Sequence, residues 1–429
     1  MIAQELSANV QDAVCRSVDE LGEEMIAFLQ GLVQIPTVNP PGAHYIAGAE
    51  FIGNKLRQFG YETHYIAAEG MKEHTATHPR MNVLGRMEGS SPRPSLHFNG
   101  HFDVVPVGDD WTVDPFAGII RDGKLYGRGV SDQKAGIAAS IFAVEAIRRT
   151  NLRLLGTVEQ SGSVDEESGG FAGVAYLARH GWIGRDKTDY VIITEPTDGN
   201  RVCIGHRGVY WFKVTTHGRI AHGCMPHFGV SAIDHLADFL HDVTHELKPA
   251  LATRKTAAPV EPPGSRYASI NVNSVFGGQP EDGTQTPCVA DRSGAIFDRR
   301  FLAEENFDEV RGEIEAMLAG FQAKNPDVKY KMEDLMIVHP VHTDESCDLV
   351  QAISGSVERI CGHKPQLTAS PGTYDQKHVV RIASVPQCIA YGPGTLNQAH
   401  LPDEYCELND VVKSAKVMAL TAMQLLGAE

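Results

Sequence analysis

Residues 95–106 read SLHFNGHFDVVP, a short apolar run that passes into His101 and Asp103 and stops at Pro106. Two later stretches repeat the plan: GTVEQSGSV at 156–164 runs on into acids, and YVIITEP at 190–196 closes on Glu195. Apolar runs that end in polar residues are what strands give when their C-terminal ends line a site in an α/β sheet. Around them lie stretches with helical spacing, AEFIGNKLRQFG at 49–60 and GIAASIFAVEAI at 136–147. Further upstream, VDELGEEMIAFLQGLV at 18–33 predicts one amphipathic helix ending before Pro36. The alternation predicts an α/β fold built on a mixed sheet.

The pattern changes near Gly205. VYWFKVTTHG at 209–218 alternates like a half-buried strand, SAIDHLADFLHDVTHEL at 231–247 has helical spacing, and YASINVNSVFGG and CVADRSGAIFDRR read as further strands. Helix EVRGEIEAMLAGF and strand VKYKMEDLMIV complete an α+β insert with one sheet face covered. After about Pro340 the α/β alternation resumes. The expected division is therefore 1–204 with 339–429 as one domain and 205–338 as an inserted second.

With 42% hydrophobic residues over 429 positions, the chain can bury a full core. Thirty-eight Lys and Arg against 54 Asp and Glu leave a net charge of −16, which disfavours nucleic acid and anionic membrane surfaces as partners. Eight scattered cysteines lack the close pairing of a zinc ribbon or redox motif. The opening MIAQELSANVQDAVCRSVDE is acidic where a signal peptide would be basic and then apolar. A cytoplasmic protein acting on a small molecule, with no membrane span, is the expectation.

Chemistry gathers at the strand ends. His101 is followed two positions on by Asp103, which could accept a hydrogen bond from the ring nitrogen of His101 that a metal would leave free. A strand-capping pair gives the same letters. Asp132 in GRGVSDQKAG stands between a glycine turn and an apolar helix, where it could be an N-cap or an ionised group pointing into a site. Asp165, Glu166 and Glu167 in SVDEESGG repel one another unless cations lie among them, although a solvated loop would also hold such a run. Glu195 in IITEPTD and His400 in YGPGTLNQAHLPDEY again follow apolar runs. Two histidines and three carboxylates form the mixed nitrogen and oxygen donor set that suits zinc, manganese or cobalt.

In this order, GHFDVVP, YGRGVSDQKAG, DEESGG, EPTD, AHGCMPHFGVSAID, FDRRF and GPGTLNQAHLPDEY, the chain resembles the M20 metallopeptidases, the family of acetylornithine deacetylases, succinyl-diaminopimelate desuccinylases, aminoacylases and carboxypeptidases. The resemblance covers nearly the whole chain. It implies a catalytic α/β domain with a lid and dimerisation insert, and two divalent ions bridged by Asp132. His101 and Glu195 would complete one ion's site, and Glu167 and His400 the other's. It further implies Glu166 as general base and His222 as an oxyanion stabiliser reaching from the insert, often from a partner subunit of a homodimer, with Asp103, the partner of the His101 ring, counted among the catalytic residues. Arg300, with Arg299 as a competing choice, would bind a substrate carboxylate.

Two stretches depart from the family. In SPGTYDQKH, Gly372, Thr373 and Tyr374 would line the substrate pocket, but Tyr374 and Gln376-Lys377 replace small residues and an arginine. Gln285 stands where many relatives carry an asparagine. The expected reaction is hydrolysis of a C–N bond, foremost deacylation of an N-acyl amino acid or related amide. Hydrolytic deamination of an activated aromatic or ring amine of the nitroanthranilate kind, and a non-catalytic metal-binding relative, are the alternatives.

Overall fold

The computed structural model describes residues 7–278 and 287–429. The chain divides into two compact units: Met1–Gly205 with Thr343–Thr368 and Tyr374–Glu429, and His206–His342 with Ala369–Thr373.

The first unit opens with α1 (Ala8–Glu20) and α2 (Gly22–Val33). The single helix expected over 18–33 is thus two, broken at Leu21, next to a glycine that is a weak helix former. There follow α3 (Tyr45–Gln58), β1 (Glu62–Ala67), β2 (Met81–Met87), β3 (Ser95–His101), α4 (Ala135–Arg149), β4 (Thr157–Ser163), β5 (Tyr190–Ile193) and β6 (Arg201–His206). The sheet runs β1-β2-β4-β3-β5, then the strand Cys388–Ala390, then β6. β3 is parallel to β4 and β5, and Cys388–Ala390 is parallel to β5, whereas β1, β2 and β6 pair antiparallel with their neighbours. The mixed α/β sheet read from the sequence is what forms. Because the adjacent strands β3, β4, β5 and Cys388–Ala390 are mutually parallel, the chain leaves these four at one edge, ahead of Asp103, Asp165, Glu195 and the His400 loop.

β3 and β4 are buried at every position, so their polar residues must pair with one another. His97 lies 2.7 Å from Ser161 Oγ and 3.2 Å from Glu159, and Ser161 donates to Asn99 at 2.6 Å. On the sheet's helical side, α4 is buried from Ala135 to Ile147 among Val14, Val18, Phe28 and Leu29 and the C-terminal residues Val411, Ala415, Met418 and Ala422. Each such large apolar side chain contributes about 1.5–3 kcal/mol by burial. A side chain on Gly136 would place its Cβ 2.1 Å from the Thr194 carbonyl oxygen, so glycine is what lets α4 begin against the end of β5.

The second unit holds β7 (Gly208–His217), α5 (Ala232–Asp242), β8 (Ser269–Gly277), β9 (Arg292–Phe301), α6 (Phe307–Lys324) and β10 (Lys329–Val338). Its antiparallel sheet has the order β8-β9-β7-β10. Tyr210, Phe212, Val214, Ala295 and Phe297 point to the helical side, with Phe212 stacked on Phe297 at 4.9 Å. Ser231 caps α5 by accepting from the Asp234 amide at 3.2 Å. Among the described residues no helix is long and apolar enough to cross a membrane. All eight cysteines are free thiols.

Candidate metal centre

Asp132 sits on the stretch between Gly129, at φ 79°, and the start of α4 at Ala135. Its backbone is extended, at φ −118° and ψ 93°, and no side chain caps α4. The N-cap alternative therefore fails: the helix begins three residues further on, and the carboxylate is free to point elsewhere.

It points both ways into a cluster. Asp132 Oδ1 lies 3.1 Å from His101 Nε2, and that nitrogen is 3.9 Å from Glu195 Oε1. Asp132 Oδ2 lies 3.6 Å from His400 Nε2, which is 3.1 Å from Glu167 Oε2. Two groups result, His101–Asp132–Glu195 and Asp132–Glu167–His400, each offering three ligand atoms within 4.8 Å of one another and sharing Asp132. His101 faces inward from the end of β3 with its side chain 1% exposed, whereas His400, on a loop at φ 65°, is 51% exposed.

The acids after β4 form a built turn, and the solvated-loop alternative fails with it. Asp165 is buried, accepts Arg80 Nε at 2.9 Å and receives the Tyr45 hydroxyl at 2.8 Å. Asp103 organises the next two: its oxygens each accept a backbone amide at 3.2 Å, one from Glu166 and one from Glu167. The ring Nδ1 of His101 is closest to the main-chain oxygen of Asp103, at 3.0 Å, with the carboxylate at 3.5 Å. Asp103 thus supports both the imidazole and the acidic turn. Lys377 brings its ammonium 3.5 Å from Glu166 Oε1.

The electrostatics of this cluster favour cations. Burial, and then the charge of Asp132, push Glu195 well above the ordinary carboxylate range. Glu167 is pushed up to about 7, chiefly by burial, with the His400 hydrogen bond opposing and Asp132 adding to it. Burial, the largest single influence, works against ionising Asp132, but the hydrogen bond and charge of His101, the charge of His400 and the Glu195 hydrogen bond together outweigh it and the net shift is downward. Three carboxylates that crowd one another in a low-dielectric pocket, with two imidazoles between them, fit two divalent ions of the zinc, manganese or cobalt type.

His222, Arg299, Arg300, Gly372 and Thr373 lie in the second unit. His222 is exposed, and its Nδ1 accepts the Cys224 amide at 3.2 Å; the helix it could have capped is capped by Ser231. Arg299 is fully buried against Glu305 at 2.5 Å, whereas Arg300, one strand position on, takes Asp298 at 2.7 and 2.9 Å on the other face of the sheet. Gly372 donates its amide to Ser370 Oγ at 3.1 Å, Thr373 belongs to the same short segment, and Gln285 lies outside the described residues. Tyr374, in the first unit, departs from expectation: it is buried among Val191, Ile193 and Val379, and its hydroxyl donates to the Cys203 carbonyl at 3.4 Å, so it packs the core instead of lining a pocket.

Sequence reading passed over several residues. In the sequence Lys377 stands out as a departure from the family's arginine, and a cation at that place is the signal. Arg207 carries no such signal; among the described residues its guanidinium donates to the carbonyls of Pro371 and Tyr267. Arg128 and Glu404 flank motif residues and gave no signal of their own.

Residues 97–424 match the model of peptidase family M20/M25/M40. The probable succinyl-diaminopimelate desuccinylase of Staphylococcus epidermidis is 28% identical over 402 residues, 89% of this chain and 93% of that protein. The succinyl-diaminopimelate desuccinylase of Cupriavidus necator is 30% identical over 322 residues, 73% and 77% of the two chains. Among solved structures, the di-peptidase Dug1p from Saccharomyces cerevisiae superposes with a TM-score of 0.76 at 18% identity, covering 97% of this chain and 98% of its own.

Proposed function

The chain belongs to peptidase family M20/M25/M40 and is a metal-dependent hydrolase of C–N bonds, and from that premise we propose that it deacylates a small N-acyl amino acid or related amide at a two-ion centre. The observation that carries the proposal is the division of the Asp132 carboxylate, one oxygen toward His101 and Glu195 and the other toward His400 and Glu167. Two divalent ions held by these five residues would polarise the scissile carbonyl and lower the pKa of water. Glu166, on the turn that Asp103 holds, accepts the proton of the attacking water at its carboxylate and returns it to the departing amine. By the family resemblance His222, of this chain or of a partner copy, would donate to the developing oxyanion, and Arg300, backed by Asp298, would take a substrate carboxylate.

The relatives support an amide as the bond broken, since they are named as desuccinylases, and the aryl-amine deaminase alternative is set aside. A homodimer through the second unit is part of the proposal. Its support is the edge strand β8, whose Val275 is 58% exposed, with Ile233 of α5 also exposed.

The test is amine release from N-succinyl and N-acetyl amino acids and dipeptides by protein loaded with zinc, manganese or cobalt, alongside Glu166→Gln. The expected result is turnover by the native chain and a loss of about 10²–10⁴ in the variant at unchanged metal content. No release from any substrate, or a fully active variant, would overturn the proposal.

A further inference from the structure

Arg128 and Glu404 form a buried ion pair at 2.7 Å, linking two stretches far apart in sequence. Each partner also binds the other's backbone. Glu404 accepts the amides of Gly129 at 3.0 Å, Ser131 at 2.8 Å and Asp132 at 3.2 Å. Arg128 in turn donates to the carbonyl oxygens of His400 at 3.3 Å and Leu401 at 3.2 Å. The Gly127 amide reaches the Glu404 carbonyl at 2.9 Å, and Ser131 Oγ exchanges hydrogen bonds of 3.1 and 2.9 Å with Thr395.

The bonds are reciprocal and local. One side of the pair fixes the loop that aims Asp132, and the other fixes the loop that aims His400. His400 is half-exposed and at φ 65°, a conformation L-residues adopt at a cost, so its placement needs support from its surroundings. A planar five-donor guanidinium and a two-oxygen carboxylate are the groups able to hold several backbone atoms at once while neutralising each other.

We propose that Arg128 and Glu404 are positioning residues that clamp the Asp132 and His400 loops together and so pre-shape the Asp132–Glu167–His400 ion site before any ion arrives. The clamp rests on the two-ion reading of that cluster. Its action is uneven: Glu404 touches the loop of the shared Asp132, but among the described residues this clamp alone joins the His400 backbone to it by a charged pair. The second ion therefore depends on it more than the ion at His101.

Two measurements test the clamp on the full chain. In hydrogen exchange on chelator-stripped native protein, the amides of Gly129, Ser131 and Asp132 are expected to be as protected as in the zinc-loaded protein. Fast exchange in the stripped form alone would overturn pre-shaping, and no variant has to fold for that result. In zinc titration by calorimetry, Glu404→Gln and Arg128→Lys are expected to weaken one of the two ions by about 10–100-fold, the range found when outer partners of ligands are changed, and the other much less. Equal binding of both ions by native and variant proteins would overturn the clamp, whereas native protein that binds no zinc would overturn the two-ion reading instead. A variant that fails to fold leaves the exchange experiment to decide.

Discussion

Lys377 and Glu166 meet at 3.5 Å with their side chains 5% and 13% exposed. Lys377 opens the short helix Gln376–Arg381, whose neighbouring residues are committed to structure: Gln376 donates to the Cys388 carbonyl at 2.6 Å, and His378 contacts the Gly169 carbonyl at 2.7 Å. The helix start is thereby fixed, and the Lys377 side chain reaches the acidic turn. If Glu166 is the base, Lys377→Met is expected to lower kcat about tenfold or more with KM little changed, and Lys377→Arg to restore most of it. A Lys377→Met enzyme with native kcat would remove Lys377 from the reaction.

The difference in exposure between His101 and His400 has a kinetic consequence. An ion held at the half-exposed histidine is open to a chelator from solvent, whereas one at the buried histidine is not. Metal removal by chelator is expected in two phases, and His400→Ala should abolish the fast one. Asp132→Ala, which takes a ligand from both groups, is expected to lose both ions by elemental analysis. A single phase in the native protein, with the same rate in His400→Ala, would contradict the shared-carboxylate arrangement.

Much of this candidate site was legible because the residues proposed as ligands keep recognisable places in sequence: His101, Asp132, Glu195 and His400 each follow an apolar run or a glycine turn. What was not legible depends on contacts across the chain. The acidic run carried no neighbouring base, yet Arg80, distant in sequence, neutralises Asp165. Tyr374 read as a pocket residue because its neighbours are glycine and threonine, but its ring completes an apolar cluster that only the folded sheet brings together. Arg299 and Arg300 are indistinguishable as letters, and strand alternation separates them only once the covered face is known. The N-terminal helices read as one because their apolar spacing runs on through the break at Leu21.

The metal-free protein should respond to pH in one direction. Glu167 and Asp375 are each pushed up to about 7 in the fold, chiefly by burial, from ordinary values of 4.5 and 3.8. Between those limits the folded state binds more protons than the unfolded one, so stability is greatest below the ordinary value and is lost as pH rises toward 7. Asp132 has the opposite sign, but its window lies below 3.8. In chelator, Tm is expected to fall from about pH 4.5 to 7, with Glu167→Gln and Asp375→Asn flattening the fall. A Tm that rises over that interval in the native protein would contradict it.

Arg80 and Asp165 form the most enclosed ion pair of the acidic turn, with side chains 6% and 4% exposed. Arg80→Met leaves a buried carboxylate without its cation and is expected to cost about 3–5 kcal/mol in urea unfolding. Asp165→Asn keeps the Tyr45 contact in a neutral form and should cost less. Equal and small losses in both would show that Asp165 finds water in the fold.

Arg299 and Arg300 divide one motif between stability and recognition. Arg299 is sealed in the second unit on Glu305, with no route to a ligand, so Arg299→Ala is expected to lower Tm. Arg300 is held by Asp298 with its side chain 24% exposed, which orients the fork without burying it. A substrate carboxylate meeting that fork gains charge-assisted hydrogen bonds of about 1.5–3 kcal/mol. Arg300→Ala should therefore raise KM about 10–100-fold for substrates that carry a carboxylate, at nearly native Tm. Amides without a carboxylate should be indifferent to it. If both substrate classes lose equally, Arg300 supports the fold of β9 and the carboxylate is bound elsewhere, for which Arg207, whose guanidinium donates to backbone carbonyls, is the next group to replace.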